Sequence, residues 1–215
     1  MSSAPQIALV DYGAGNLRSV AKALARSGLR PEVTSDPAVL RRADGVVLPG
    51  VGAFAAATAS LEKTGLAGAV RDFIDSGGPY LGLCLGLQLL FDEGDEHGIT
   101  PGFGLIPGRV TRFPERDPLG APLRVPHIGW NEVRYSGEHP MLARLAPSEL
   151  YYFVHAYRAV PARERDVVGR VDYGGEFAAA VAVGNMFAVQ FHPEKSQAAG
   201  KRLLDAYAAW VAQLR

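Results

Sequence analysis

The sequence predicts an α/β fold in which helices cover both faces of a mixed, mainly parallel central sheet. In the first 91 residues, short apolar runs typical of strands alternate with stretches of helical periodicity. The runs at 45–48 and 79–83 show little polar alternation, as expected for parallel strands that are buried on both faces. After about residue 105 strand signals dominate, which predicts additional antiparallel strands at a sheet edge or in a smaller layer.

Turn-forming residues separate the elements of the first half. The first helix has Leu17, Val20 and Leu24 at helical spacing and ends before Gly28. The predicted elements are strands at 6–11, 31–34, 45–48 and 79–83, and helices at 17–27, 53–63, 66–76 and 85–91.

The second half has short strand signals that lie close to Gly, Pro or Asp. The predicted strands are 123–126, 130–135, 150–154, 167–173, 177–183 and 186–191. A last helix is predicted at 197–214, where Leu203, Tyr207, Trp210 and Leu214 fall on one face that should pack on the core.

Length and composition indicate a single domain spanning 1–215, because 215 residues are enough for one well-packed α/β core but are too few to favour two domains. Lys+Arg and Asp+Glu both number 22, and this balance argues against binding to nucleic acid or to an anionic membrane surface. No secretory leader and no membrane-spanning run is recognisable, so we expect a cytoplasmic protein.

Cysteine and histidine usage argues against metal sites and disulfides. The chain has one cysteine, which excludes an intramolecular disulfide and a Cys-rich zinc site. The five histidines show no metal-ligand spacing, so no metal and no cofactor is expected. His97 and His139 lie in polar sequence and should be solvated, whereas His127 and His155 fit structural histidines.

Cys84 lies where a predicted strand runs directly into a predicted helix. Gly82 and Gly86 flank it at two residues on either side, in the Gly-x-nucleophile-x-Gly pattern of a nucleophile elbow. Such a sharp turn leaves no room for flanking side chains, and the helix start favours thiolate over thiol. Taken alone, a cysteine in an apolar run is more typical of a small core residue.

A second pattern, His192-Pro193-Glu194, follows the last predicted strand. The imidazole could take the thiol proton and later protonate a leaving amine, while the carboxylate orients the ring. Because His-x-Glu is common in surface loops, this pattern is weak on its own.

Two glycine loops follow strands in the first half. The sequence Pro49-Gly50-Val51-Gly52 could direct backbone N–H groups toward an anion facing Cys84, or could simply be a tight turn. The sequence Asp11-Tyr12-Gly13-Ala14-Gly15-Asn16 begins like a dinucleotide fingerprint, but Arg18 stands where the third glycine belongs. Nucleotide binding is therefore not expected.

Together these motifs resemble the class I glutamine amidotransferases. Within that class, the chain resembles the glutaminase subunits of imidazole glycerol phosphate synthase over nearly its whole length. The segments that carry this resemblance are 11–17 (DYGAGNL), 49–54 (PGVGAF), 84–91 (CLGLQLLF), 127–131 (HIGWN), 152–155 (YFVH) and 190–196 (QFHPEKS). The HIGWN segment discriminates most, because other glutaminases of the class do not usually carry it.

The resemblance implies a flavodoxin-like three-layer sandwich and a heterodimer with a (β/α)₈-barrel cyclase. This chain would hydrolyse L-glutamine and pass the ammonia on. The cyclase would then make imidazole glycerol phosphate and aminoimidazole carboxamide ribotide in histidine biosynthesis. In this family the glutaminase is nearly silent until the cyclase binds its ligand.

The resemblance also implies residue roles. Cys84 would form a glutamyl thioester, His192 would act as base and acid, and Glu194 would orient His192. Gly52 or Val51, together with Leu85, would supply the oxyanion N–H groups.

Further roles follow for substrate and partner. Gln88 would hold the backbone end of glutamine, and Glu96 its amino group. Main-chain groups of His155, Ala156 and Tyr157 would assist Gln88. The residues facing the cyclase would be Asn16, Trp130, Asn131 and Lys195.

Two alternatives remain open from the residues. One is a glutaminase of the same class that serves a different synthase. The other is a non-catalytic flavodoxin-like binding module, in which Cys84 is a core residue or a redox sensor.

Overall fold

The computed structural model describes residues 4–214. Residues 1–3, on which part of the expectation about a leader rests, lie outside the described residues. The strands are β1 (Gln6–Val10), β2 (Arg30–Thr34), β3 (Gly45–Leu48), β4 (Tyr80–Leu83), β5 (Phe91–Gly94), β6 (Thr100–Pro101), β7 (Ile106–Arg112), β8 (His127–Tyr135), β9 (Ser148–His155), β10 (Tyr157–Pro161), β11 (Val167–Asp172), β12 (Glu176–Val183) and β13 (Met186–Val189).

The α-helices are α1 (Leu17–Arg26), α2 (Pro37–Arg42), α3 (Phe54–Lys63), α4 (Leu66–Asp75), α5 (Leu85–Gln88) and α6 (Gln197–Gln213). A short 3₁₀ turn at Pro193–Lys195 precedes α6. Among the described helices, none has the length and apolar character that crossing a membrane requires.

The central sheet has the strand order β2-β1-β3-β4-β13-β12-β11-β8-β9. Its first five strands are parallel, and the remaining four continue it in antiparallel pairing. The prediction of a mixed sheet with antiparallel strands from the second half is confirmed. The carboxyl ends of β3, β4 and β13 therefore lie side by side at one edge of the parallel half.

Two apolar cores lie on opposite faces of this sheet. Alternate residues of β1 divide between them: Ala8 and Val10 pack with α2, α3 and α4, whereas Ile7 and Leu9 pack with α1 and α6. This is the period-2 alternation of a strand buried on both faces. The three layers are those of the predicted sandwich.

A second, smaller sheet has the order β10-β7-β5-β6. None of the strands predicted for the second half lies in it, since those that form belong to the central sheet. The predicted helix at 85–91 was too long. Helix α5 ends at Gln88, and strand β5 of this second sheet begins at Phe91. Leu87, Leu89, Leu90 and Phe91 are all fully buried, so the apolar run has no polar face from which helical periodicity could be read.

Other differences concern short elements. The segment 123–126 was expected to be a strand but forms none, since Pro122 and Pro126 bracket it and lack the N–H donors that sheet pairing needs. Helix α2 was missed, although Asp36 caps it through Ala38 N–H and Pro37 begins it, as at many helix starts. Strands β7 and β10 were missed as well.

The turn from β4 into α5 depends on very close backbone packing. A Cβ atom at Gly86 would overlap the carbonyl oxygen of Leu48 at the end of β3. A Cβ atom at Gly82 would lie 2.6 Å from the carbonyl oxygen of Gly86. The steric reason predicted for the two glycines that flank Cys84 is therefore confirmed.

Substituting Gly86 by Ala should destabilise the fold by about 3 kcal/mol, because the new methyl group meets backbone that cannot rotate away. Gly68→Ala is the matched control, since Gly68 lies in α4 with open space around it and should gain up to about 1 kcal/mol. Urea unfolding of both variants measures the difference. Equal midpoints would contradict the packing argument.

Candidate active site

Cys84 lies at the junction of β4 and α5 with φ 54° and ψ −103°. A non-glycine residue at positive φ costs of order 1–3 kcal/mol and persists only where its surroundings hold it. One such restraint is the hydrogen bond that the Cys84 backbone N–H donates to the Val189 carbonyl at 2.7 Å. The side chain is held at the carboxyl ends of β4 and β13, and the residue is 7% exposed.

His192 and Glu194 follow β13 and lie beside this elbow. His192 Nδ1 is 2.9 Å from Glu194 Oε1, and both side chains are at most 5% exposed. A carboxylate can only accept here, so Nδ1 carries the hydrogen. His192 Nε2 has no hydrogen-bond partner among the described residues and is the nitrogen left for the Cys84 thiol.

The electrostatics of His192 favour its charged form. Burial lowers the pKa of His192, but its interactions with Cys84 and Glu194 outweigh burial and raise it to about 10. An imidazolium between a thiolate and a carboxylate is the arrangement that a cysteine nucleophile needs at neutral pH. The structure thus brings Cys84, His192 and Glu194 together as predicted.

Strand β9 fixes the backbone on either side of the histidine. The His192 N–H donates to the Tyr152 carbonyl at 3.0 Å, and the Tyr152 N–H donates to Ser196 Oγ at 3.0 Å. The Ser196 hydroxyl donates in turn to the His192 carbonyl at 2.6 Å. This closed set of bonds holds the segment 192–196 as one rigid unit.

The loop predicted to bind an oxyanion lies next to Cys84. The Leu85 N–H points at the Gly50 carbonyl at 3.5 Å, a distance at the outer limit of hydrogen bonding. Gly52 has φ +100°, a conformation that side chains rarely adopt, and Val51 is 44% exposed. Val51 and His192 both line a cavity of about 20 Å³, which has room for about one water molecule.

A chain of buried amides leads from Gln88 to the sulfur. Gln88 Nε2 donates at 3.0 Å both to the Tyr157 carbonyl and to Gln190 Oε1. Gln190 Nε2 then lies 3.6 Å from Cys84 Sγ as a donor. Because a carbonyl only accepts, the Tyr157 oxygen fixes which way the Gln88 amide points, and Gln88 fixes Gln190.

His127 and His155 form a buried pair behind this chain. His155 Nδ1 lies 2.8 Å from the Tyr157 carbonyl and so carries the hydrogen, which leaves its Nε2 to accept from His127 Nδ1 at 3.1 Å. Burial lowers the pKa of His127 to about 4 and that of His155 to about 3. Both rings are neutral structural histidines, as their sequence context suggested.

The other two histidines differ from each other. His97 is exposed, as expected for a loop residue. His139 was expected to be solvated but is half-buried, with its ring centroid 4.7 Å from Trp210 and 5.1 Å from Phe187. The polar residues around His139 in sequence did not reveal this contact with α6 and β13.

The remaining predicted substrate residues lie at the start of α3 and at the junction of β9 and β10. Glu96 Oε2 accepts from the Phe54 N–H at 2.7 Å, which places its carboxylate at the start of α3. Burial raises the pKa of Tyr157, and the charge of Glu96 adds to this rise. The Ala156 carbonyl is engaged by the Phe113 N–H at 3.0 Å.

The predicted partner residues lie on the surface around the site. Asn16 caps α1 through the Ser19 N–H and lines the same small cavity as His192 and Lys195. Trp130 is 47% exposed. Its ring and Lys195 Nζ lie 6.1 Å and 5.8 Å from the Tyr152 ring.

Asn131 has a different position from the other three. Its side-chain amide donates to the Asp172 carbonyl at 2.9 Å, and its side-chain oxygen accepts from the Glu132 N–H. The Asn131 side chain therefore links β8 to the end of β11. The residue is also partly exposed.

Sequence reasoning gave no role to Gln190 or Ser196. Both side chains are buried, at 0% and 1% exposed, and both bond to the elbow or the histidine segment. The available signal was a polar residue inside the apolar run that ends at Phe191, since burying an amide is costly unless it is paired. Within residues 4–214, no group of His, Cys, Asp or Glu could hold a metal ion.

Comparison with known proteins agrees with this geometry. The family model described as "Glutamine amidotransferase class-I" matches residues 8–207. The chain belongs to the class I glutamine amidotransferases. As a member of this family, it is a glutamine-dependent enzyme.

Two curated relatives of these amidotransferases are named "Imidazole glycerol phosphate synthase subunit HisH". The protein from Moorella thermoacetica is 47% identical over 205 residues, covering 95% of each chain. The protein from Methylococcus capsulatus is 50% identical over 209 residues, covering 95% of this chain and 96% of its own. At this identity and coverage, the chain also belongs to the HisH family.

Solved structures of other amidotransferases share the fold. A structure titled "Crystal structure of glutamine amidotransferase" has a TM-score of 0.73 at 21% identity, covering 95% of this chain and 98% of that one. The "Structure of PurLQS from Thermotoga maritima" has a TM-score of 0.73 at 20% identity, and the match covers 96% of this chain and 98% of that one. These likenesses confirm the flavodoxin-like α/β architecture.

The buried histidines should make the protein less stable in mild acid. His127 titrates near 6.5 when unfolded and near 4 when folded, so the unfolded chain binds more protons between these values. Stability should therefore fall as pH drops through this window, by about 1.4 kcal/mol per pH unit for each such histidine. Urea unfolding between pH 4.5 and 7 measures the slope.

The variant His127→Phe should give a shallower slope, whereas the exposed His97→Gln should match the parent chain. His192 does not contribute in this window, because its folded pKa is raised and its stabilising effect is lost only as pH rises toward 10. An unchanged slope in His127→Phe would contradict the assignment.

Proposed function

We propose that this chain is the glutaminase subunit of an imidazole glycerol phosphate synthase and delivers ammonia to a barrel-shaped cyclase. The observation that carries the proposal is the contact of Cys84, His192 and Glu194 at a strained strand-to-helix turn. It occurs in a chain about half identical to HisH proteins over nearly its full length. The family match over 8–207 supports a single amidotransferase domain.

The chemistry begins with attack of the Cys84 thiolate on the carboxamide carbon of glutamine. A carbon–sulfur bond forms, and the carbonyl oxygen takes up the negative charge. Protonated His192 then gives its proton to the amide nitrogen, the carbon–nitrogen bond breaks, and ammonia leaves. Water attacks the thioester with His192 as base, which releases glutamate and restores the thiol.

The oxyanion that forms would be stabilised by backbone N–H groups of Leu85 and of Val51 or Gly52. Each donor of this kind contributes about 3–4 kcal/mol at the transition state. In this structure the Gly50 carbonyl faces the Leu85 N–H, so an oxyanion has to displace that oxygen. This geometry supports a slow enzyme in the absence of its partner.

The residues around Gln88 are proposed to bind the amino-acid end of glutamine. Gln88 reaches the main chain at 155–157 through the Tyr157 carbonyl, and the charge of Glu96 acts on the Tyr157 side chain. A carboxylate such as Glu96 complements an ammonium group. Ligand pockets usually exceed about 300 Å³, so the small cavity beside His192 does not itself hold glutamine.

Partner binding is proposed on the face that carries Asn16, Trp130, Asn131 and Lys195. Ile128 and Trp130 are exposed apolar residues there, and exposed aromatic side chains are typical interface anchors. The heterodimer would combine hydrolysis in this chain with lyase chemistry in the cyclase. A role in amino-acid biosynthesis also fits the predicted cytoplasmic location.

The deciding experiment measures glutamate release from glutamine by the purified chain, alone and with a barrel cyclase and its nucleotide ligand. Low basal release should rise strongly with the loaded cyclase and vanish in Cys84→Ala. Glutamate release that is the same with and without the cyclase would instead support a glutaminase of another synthase. Absence of release under every condition would support the binding-module alternative.

Trp130→Ala should weaken binding of the cyclase, because truncating an exposed aromatic anchor usually costs about 2 kcal/mol, or roughly thirtyfold in Kd. Titration calorimetry with the cyclase measures this change. Val33→Ala is the matched control, since Val33 is a 46% exposed apolar residue on β2, at the opposite end of the central sheet from β8 and β9. Equal Kd values for the two variants would remove Trp130 from the interface.

A further inference from the structure

Gln190 is a buried amide in a place where the chain pattern favours an apolar residue. It follows β13 directly, between Val189 and Phe191, and all three residues are fully buried. A buried primary amide destabilises a core unless its polar atoms are hydrogen bonded. The partners of Gln190 therefore indicate what its side chain does.

The backbone N–H and both polar side-chain atoms of Gln190 have a defined partner. The backbone N–H donates to the Ala179 carbonyl at 2.8 Å, which anchors the residue to β12. The side-chain oxygen accepts from Gln88 Nε2 at 3.0 Å, and the side-chain nitrogen points at Cys84 Sγ at 3.6 Å. Since a thiol accepts hydrogen bonds weakly and a thiolate strongly, this donor favours the charged sulfur.

The direction of the amide is fixed from outside. If Gln190 were turned over, its nitrogen would meet the Gln88 nitrogen, which the Tyr157 carbonyl holds in place as a donor. The same carbonyl is also bonded to His155 Nδ1 at 2.8 Å. An N–H therefore faces Cys84 without any rotation at the moment of reaction.

Other sources of thiolate stabilisation are limited. Helix α5 has only four residues, so its dipole is small compared with that of a long helix. Among the described residues, His192 and Tyr12 are titratable groups that interact electrostatically with Cys84. Tyr12 is neutral at physiological pH, because burial and the charge of Cys84 both raise its pKa. A neutral donor beside the charged His192 would therefore add to the stabilisation of the thiolate.

We propose that Gln190 is that donor: its side-chain N–H holds the Cys84 sulfur in the attacking position and stabilises it as a thiolate. The role rests on the proposed function, in which Cys84 is the nucleophile. Gln88 and the Tyr157 carbonyl are the positioning groups behind Gln190. Gln190 thus serves the reaction although it lies outside the Cys-His-Glu set.

The test is the pH dependence of Cys84 alkylation by iodoacetamide. Cys84 is the one cysteine of the chain, so mass spectrometry reads its modification directly. Gln190→Met keeps the length of the side chain but removes the donor. We expect the pH of half-maximal alkylation to rise by about one unit, and the rate at pH 7 to fall about tenfold.

Three variants complete the design. Gln213→Met, at the exposed end of α6, should behave like the parent chain. Gln88→Met keeps the Gln190 donor but loosens it, so its shift should be smaller than that of Gln190→Met. If Gln190→Met does not fold, Gln190→Asn shortens the buried amide by one methylene group and should shift the profile in the same direction.

A folded Gln190→Met or Gln190→Asn protein with the parent profile would overturn the proposal and leave Gln190 a packing residue. Alkylation needs no glutamine turnover, so the two proposals fail separately. A shifted profile in a chain that never releases glutamate would retain the role of Gln190 toward the sulfur and defeat only the proposed function. An unshifted profile in a chain that releases glutamate normally would retain the proposed function and defeat only the role of Gln190.

Discussion

The contact between the backbone of Gly86 and the carbonyl of Leu48 is the constraint on which the site depends. It draws the start of α5 against the end of β3, so the chain leaving β4 must turn within one residue. Cys84 absorbs that turn in a conformation that costs of order 1–3 kcal/mol. This close approach brings the loop that follows β3, for which an oxyanion role is proposed, next to the start of α5.

The site combines an ion pair with neutral polar groups. His192 is charged, whereas His127 and His155 are kept neutral by burial although they lie in the same hydrogen-bonded neighbourhood. Because neutral amides and imidazoles carry no net charge, they can be buried around the sulfur without opposing its negative charge. The buried carboxylate of Glu194 is paired with His192.

Motifs with a steric or covalent requirement were predictable from sequence. The elbow at Cys84 and the late His192-Pro193-Glu194 segment could be read because glycine and proline mark fixed backbone geometry. The end of α5 could not be predicted from the sequence, since a run of uniformly buried residues shows no helical periodicity of polar and apolar positions. The role of Gln190 was hidden for another reason: its side-chain partners Gln88 and Cys84 are 102 and 106 positions away in the chain, and only the folded sheet brings them together.

The hydrogen bonds between Tyr152 and the 192–196 segment have a consequence beyond positioning His192. Strand β9 is the last strand of the central sheet, and its outer edge would otherwise offer unpaired backbone groups to a strand from another molecule. Tyr152 directs both its N–H and its carbonyl to that segment. The loop that carries the histidine therefore also shields a sheet edge from intermolecular strand addition, so the same few residues both place His192 and protect the chain against aggregation.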